Sequence, residues 1–144
     1  MTVADVMTVR VVQAAPDESA REAIQKMLAA SVGSIAICEG PRLVGIFTER
    51  DVLRLAGEGI DLDATPVRNV MTANPVTFSA DGDVLAAAHL MSERRVRHLP
   101  VVEGENILGM VGIRDVMGAL VERLWREGDP DARDTARELM RRPT

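Results

Sequence analysis

Two copies of a small β-α-β-β-α unit, layered as a mixed α/β (α+β) fold with a further helix at the C-terminal end, are what this sequence predicts. Three observations carry that reading. The first is internal repetition. Displaced by 64 positions, Val6-Met7-Thr8 falls on Val70-Met71-Thr72, Met27 on Met91, Glu39-Gly40 on Glu103-Gly104, Gly45 on Gly109 and Arg50-Asp51-Val52 on Arg114-Asp115-Val116. No gap is needed over residues 3–53, so every element and turn must keep its length in both copies. The second is that each copy carries an apolar stripe at helical spacing, then two short apolar runs separated by a turn. The third is size. A chain of 144 residues favours one compact assembly, and a repeat of roughly fifty residues buries too little surface alone, so the copies should share a core. The expected divisions are residues 1–58, a linker at 59–66, residues 67–126, and a helical extension at 129–144. A ligand would be expected in the groove between the repeats.

Taken in order, each copy opens on a short segment, Val3-Ala4-Asp5-Val6-Met7-Thr8 or Val67-Arg68-Asn69-Val70-Met71-Thr72, followed by an extended stretch at 9–12 or 76–78. An amphipathic helix then starts near Asp17 and near Asp81, both suitable N-cap residues. Ala20, Ala23, Ile24, Met27 and Leu28 form its apolar stripe in the first copy, and Val84, Ala87, Ala88 and Met91 in the second. Residues 35–38 and 43–47, joined through Glu39-Gly40-Pro41-Arg42, read as a β-hairpin, as do 99–102 and 107–111 around Glu103-Gly104-Glu105-Asn106. Further helices begin near Glu49 and near Ile113. Residues 57–66 are rich in turn formers and read as an exposed loop. Gly128-Asp129-Pro130 ends the last repeat helix. Residues 131–142 form an extra helix whose narrow stripe of Ala132, Ala136, Leu139 and Met140 suits either packing on a subunit edge or partner, or fraying in solvent.

Composition removes several classes of function. Aromatic residues make up 2% of the chain, with no Tyr, two Phe and one Trp, too few faces to stack nucleic-acid bases. A net charge of −5 also opposes non-specific binding to DNA or RNA, leaving only the basic stretch around Arg94 to His98 in favour of it. The lone Cys38 excludes an internal disulfide and gives no zinc pattern, and its apolar surroundings read as core; no metal site is expected. Residues 1–12 lack the features of a secretory leader, and no apolar run approaches the roughly 18 residues of a membrane span. A cytoplasmic protein without membrane contact is expected. There is no nucleophile elbow, Walker-type loop, His-Glu-x-x-His pattern or dinucleotide fingerprint, so neither catalysis nor a catalytic cofactor is expected.

The residues that carry chemistry lie at the end of the first hairpin, in Gly45-Ile46-Phe47-Thr48-Glu49-Arg50-Asp51. This stretch resembles the Gly-hydrophobic-x-Thr/Ser-x-x-Asp signature of CBS domains, the tandem repeats named after cystathionine β-synthase. The Val-Met-Thr openings, the paired Asp17 and Asp81, and Val96-Arg97-His98-Leu99-Pro100-Val101-Val102 support the resemblance, which covers most of the chain. It implies a pair of repeats with pseudo-twofold symmetry (a Bateman module), whose clefts bind adenosine-containing ligands such as AMP, ADP, ATP or NAD(H). Thr48 at a helix N-terminus offers a hydroxyl and free N–H groups. Asp51 shares its helix face and can accept hydrogen bonds from both hydroxyls of a ribose. Because a carboxylate repels phosphate, a cation must come from elsewhere. Carried over from the family, Thr48 and Asp51 face Val76, Thr77 and Val96 around the adenine, with Arg97 and His98 on the phosphate.

The sister cleft pairs Asp115 with Val12, Gln13, Val32, Gly33 and Ser34, has Gly112 in place of the hydroxyl, and offers no cation on that wall. It reads as the weaker site. Two plainer readings stay open: Thr48-x-x-Asp51 is also a capping pattern, and residues 94–98 are also an ordinary basic helix end. The module is therefore read as regulatory, homodimeric and acting on a separate effector protein, with a ligand-free structural dimerisation module as the alternative.

Overall fold

Residues 64 apart occupy equivalent elements in the computed structural model, which describes residues 1–141. The elements are β1 (Gln13–Ala14), α1 (Ala20–Ala30), β2 (Ser34–Glu39), β3 (Arg42–Thr48), α2 (Glu49–Glu58), β4 (Thr72–Ala73), β5 (Phe78–Ser79), α3 (Val84–Arg94), β6 (His98–Glu103), β7 (Asn106–Gly112), α4 (Ile113–Glu127) and α5 (Pro130–Met140). Single 3-10 turns at Val3–Asp5 and Val67–Asn69 open the two copies. This is the mixed α/β fold, β-α-β-β-α twice, that the repetition predicts. The early strands lie later than the expected 9–12 and 76–78, at 13–14 and 78–79. Their pairing is nonetheless equivalent, since Ala14 opposite Ile37 and Phe78 opposite Val101 are the same parallel contact.

Contacts group the chain into two units that cut across the repeats: residues 10–76 with 104–107, and residues 1–9 with 77–103 and 108–144. In the first, β1 runs parallel to β2, β2 antiparallel to β3, and β4 adds to β3 with Ala73 opposite Gly45. Its core is Ala14, Ala20, Ala23, Met27, Ile35, Ile37, Phe47, Leu55 and Val67. Both α1 and α2 close on this sheet because their apolar positions recur on one face. The hairpin turn is shorter than the four residues expected: Glu39 pairs with Arg42, leaving Gly40-Pro41 as the loop. Gly40 takes φ +59° there, a conformation that costs glycine nothing. Cys38 is buried, and burial pushes its thiol pKa up, consistent with a packing residue rather than a reactive one.

Residues 59–66 form the turn-rich, largely exposed loop that their composition predicts, but one docked on the body of the unit. Ile60 and Leu62 pack against the core. Leu62 O and Thr65 O accept the N–H groups of Arg21 and Ala20, and Glu18 O accepts from Val67 N. The segment thereby satisfies helix-start donors that would otherwise need water. The caps also differ from expectation. Ser19 and Asp83, 64 apart, cap α1 and α3, accepting from Glu22 N at 3.1 Å and Leu85 N at 2.9 Å. Asp17 instead pairs with Arg68, and Asp81 accepts from the Ser79 hydroxyl. Leu28, assigned to the α1 stripe, is 73% exposed, because it lies past the edge of the buried arc.

In the second unit, β6 lies between β5 and β7, and Thr8 bridges Met110. The opening segment of the first copy also belongs here: Val3 N and Ala4 N donate to Gly82 O and Ala80 O. The extra helix α5 packs on α3 and α4, burying Ala132, Thr135, Ala136 and Leu139 while Met140 stays exposed. It therefore packs its narrow stripe on a face of its own unit, as the packing expectation has it, and does not fray. The Ser92 hydroxyl donates to Glu138 at 2.7 Å, and Arg123 pairs with Asp129 at 3.2 Å. The part of the predicted 129–144 extension at 142–144 lies outside the described residues. Among the described residues no helix is long and apolar enough to cross a membrane.

Candidate functional site

Thr48 ends β3 and is the N-cap of α2 because its backbone is still extended, at φ −126° and ψ 169°. Its hydroxyl accepts from Asp51 N at 3.5 Å and donates to Asp51 Oδ2 at 3.2 Å, while Thr48 N donates to the same oxygen at 2.9 Å. The capping arrangement is therefore realised, with the carboxylate serving the helix start directly. Only 13% of the Asp51 side chain is exposed, and its Oδ1 lies 3.4 Å from Arg54 Nη2. Beside this corner, Ser34 is buried opposite Thr48 across the β2–β3 ladder, and Gly33 O accepts from Glu49 N at 3.0 Å. Val12 O accepts from Ala36 N, and the exposed Gln13 pairs with Ala36 at the sheet edge. Val76 is half-buried.

The second unit repeats the corner with other residues. Arg97 O accepts from Ile113 N at 2.9 Å, as Gly33 O does from Glu49 N, so Arg97 and His98 adjoin the start of α4. Arg97 is exposed and has no ion pair among the described residues, whereas His98 and Val96 are half-buried and Thr77 is exposed. Asp115 Oδ2 accepts from Gly112 N at 2.9 Å, and Gly112 has no hydroxyl to return the bond. The structure thus brings 33–34 together with 48–51, and 97–98 together with 112–115. His89, mid-helix, is 60% exposed and faces Glu138 at 3.8 Å and the Thr135 hydroxyl at 3.5 Å. Arg54 was not singled out from the sequence, although its i,i+3 spacing from Asp51 is a readable signal.

A side chain at Gly112 would meet only ordinary contacts, 3.5 Å from Asp115 Oδ2 and 3.6 Å from His98 Cδ2. Gly112→Thr should therefore rebuild the cap found at Thr48 and restrict the unfolded chain. A gain of about 0.5–1 kcal/mol is expected, read as a higher midpoint in a thermal melt; a lower midpoint would contradict the equivalence of the two corners.

Twin corners of this kind, each a hairpin end running into a helix with an acid at its third position, match a known repeat family. The chain belongs to the CBS domain family, whose model matches residues 3–58 and again residues 67–122. Among curated relatives it is 34% identical over 116 residues to the CBS domain-containing protein YhcV of Bacillus subtilis, spanning 80% of this chain and 82% of that one. It spans only 54% of the longer mitochondrial protein CBSX3 of Arabidopsis thaliana. Among solved structures it resembles the CBS domain protein PAE2072 from Pyrobaculum aerophilum complexed with AMP, with TM-score 0.75, 25% identity, and coverage of 80% of this chain and 89% of that one. It likewise resembles CBSX2 in complex with AMP, with TM-score 0.72, 27% identity, and coverage of 84% and 96%.

Proposed function

We propose that this CBS pair is a non-catalytic regulatory module that binds an adenosine-containing ligand of the AMP class. The observation that carries the reading is the state of Asp51: a largely buried carboxylate whose Oδ2 serves the cap while Oδ1, among the described residues, meets a long contact from Arg54. Such an oxygen can accept a sugar hydroxyl strongly because it is charged and poorly solvated. Two similar proteins complexed with AMP support the ligand class. In this reading Thr48 and Asp51 hold the ribose, Val76, Thr77 and Val96 surround the adenine, and Arg97 and His98 take the phosphate. Asp115 with Val12, Gln13, Gly33 and Ser34 forms a weaker second site, because Gly112 supplies no hydroxyl there. Occupancy alters the module only by favouring one arrangement over another. The module acts as a homodimer on a separate effector protein.

The closed cap at Thr48 and Asp51 is the specific observation behind the second reading, a structural dimerisation module in which these residues serve only the helix. Calorimetric titration separates the two. AMP, ATP, NADH and S-adenosylmethionine should include at least one ligand that binds. Asp51→Ala should weaken that ligand about ten- to hundred-fold, the worth of hydrogen bonds to a charged group. Arg97→Ala should weaken AMP more than adenosine. If none of the four ligands binds or moves the melting temperature, the structural module is the better account.

A further inference from the structure

Arg54 sits one turn beyond Asp51 on α2. Its Nη2 donates to Asp51 Oδ1 at 3.4 Å and to Val70 O at 3.1 Å, while Nη1 lies 3.9 Å from Glu58 Oε2. Oδ2 of Asp51 is already committed to the N–H and hydroxyl of Thr48. The oxygen left for a sugar is therefore the one that Arg54 faces. The second copy has no counterpart, because the residue 64 positions on is Gly118, while Asp115 Oδ2 accepts from Gly112 N as Asp51 Oδ2 does from Thr48 N.

We propose that Arg54 is a specificity-determining residue of the Asp51 site: a competing cation that must release Asp51 Oδ1 before a ribose hydroxyl can take it. This rests on the nucleotide reading above. Two features make the release feasible. The contact to Asp51 is longer than a normal hydrogen bond, and Arg54 is 46% exposed, so the pair is weak and screened. On letting go, the guanidinium keeps Val70 O and Glu58 as partners. Val70 lies in the opening segment of the second copy, packed against the first unit's core, so the arginine connects ligand occupancy to that segment. The competition also sets selectivity. An uncharged nucleoside only loses to Arg54, whereas a phosphorylated ligand also gains from the nearby positive charge.

The two kinds of contact respond differently to ionic strength. Salt screens the Arg54–Asp51 pair but leaves a bond from a neutral hydroxyl largely unaffected. The test is titration of adenosine and AMP into the full chain as wild type, Arg54→Gln, Arg54→Lys and Asp51→Ala, at about 50 and about 300 mM salt. Arg54→Gln should bind adenosine about two- to five-fold tighter than wild type at low salt, the range open to a part-exposed ion pair. Arg54→Lys, which keeps the charge, should stay near wild type. Wild-type affinity for adenosine should rise with salt, and that of Arg54→Gln should not. Unchanged or weaker adenosine binding by Arg54→Gln, or a salt-independent wild type, overturns the role of Arg54 while leaving the site intact. Equal binding by Asp51→Ala and wild type, or no binding by any form, instead overturns the nucleotide reading at Asp51, and the Arg54 role falls with it.

Discussion

Replacing Phe47 by alanine should remove about 3–5 kcal/mol of stability, a large share of the roughly 5–15 kcal/mol that holds a domain of this kind together. Phe47 is fully buried. It stands on β3 opposite Ile35, in the core cluster with Met27, Ile37, Leu55 and Val67. The chain has two Phe in all, so no second ring in that cluster can close the gap. Ile35, Ile37 and Val67 are β-branched and stiff at χ1, which leaves Met27 and the half-buried Met71 as the side chains able to lean in. A cavity therefore persists, and the cost of lost transfer is joined by the cost of the void. Urea denaturation followed by circular dichroism is the suitable measurement, since Trp125 is 84% exposed and its fluorescence reports little of the core. Leu53→Ala, at a position 75% exposed, should stay within about 0.5 kcal/mol of wild type. A loss below about 1.5 kcal/mol for Phe47→Ala, typical of a well-tolerated swap, would mean that β3 is not packed as described.

The repeated glycines should not be equally tolerant. At Gly109 an added Cβ would lie 2.7 Å from Met7 Sδ and 2.9 Å from Thr8 O. That carbonyl cannot retreat, because Met110 N donates to it at 2.9 Å while Thr8 N donates to Met110 O at 2.8 Å. At Gly45 the three nearest atoms all belong to the Met71 side chain, with Sδ at 2.4 Å, and an unbranched side chain can change rotamer. Gly109→Ala should therefore cost about 2–3 kcal/mol and Gly45→Ala about 1 kcal/mol, within the range for overpacking. Denaturation midpoints of the two variants decide the matter. The opposite order would show that the pairing of Thr8 with Met110 gives way more easily than Met71 moves. Combining Gly45→Ala with Met71→Ala should be less harmful than the sum of the two, because both act on one contact.

These glycines also explain why so much was legible. The Val-Met-Thr openings and the Gly positions looked like separate marks of repetition, yet each Met lies over a Gly, so the two marks are one contact written at two places. The hairpins and the helices starting at Glu49 and Ile113 were equally readable, since alternating apolar runs, turn residues and a capping pattern act locally. The helix starts at Ser19 and Asp83 were not. Asp17 and Ser19 are both good caps, and the choice fell to carbonyls of residues 62 and 65 docking on the first turn of α1. The same docking turned a polar stretch into part of the core edge through Ile60 and Leu62. At the site, Thr48 and Asp51 were visible as a motif, while the hold of Arg54 on Asp51 Oδ1 required the side chain to turn toward both Asp51 and Val70 O.

The 64-residue echo defined the repeat, and periodicity and turn chemistry most of its elements, because helices, hairpins and caps depend on neighbours within a few residues along the chain; the family came from the resemblance of residues 45–51 to its signature. Tertiary packing alone decided that each opening segment would pack with the body of the other repeat, that residues 59–66 would seal a helix start, and that α5 would lie on α3 and α4. Those outcomes turn on which orphaned donors and apolar faces meet at long sequence separation, where local preference is weak and burial energy prevails.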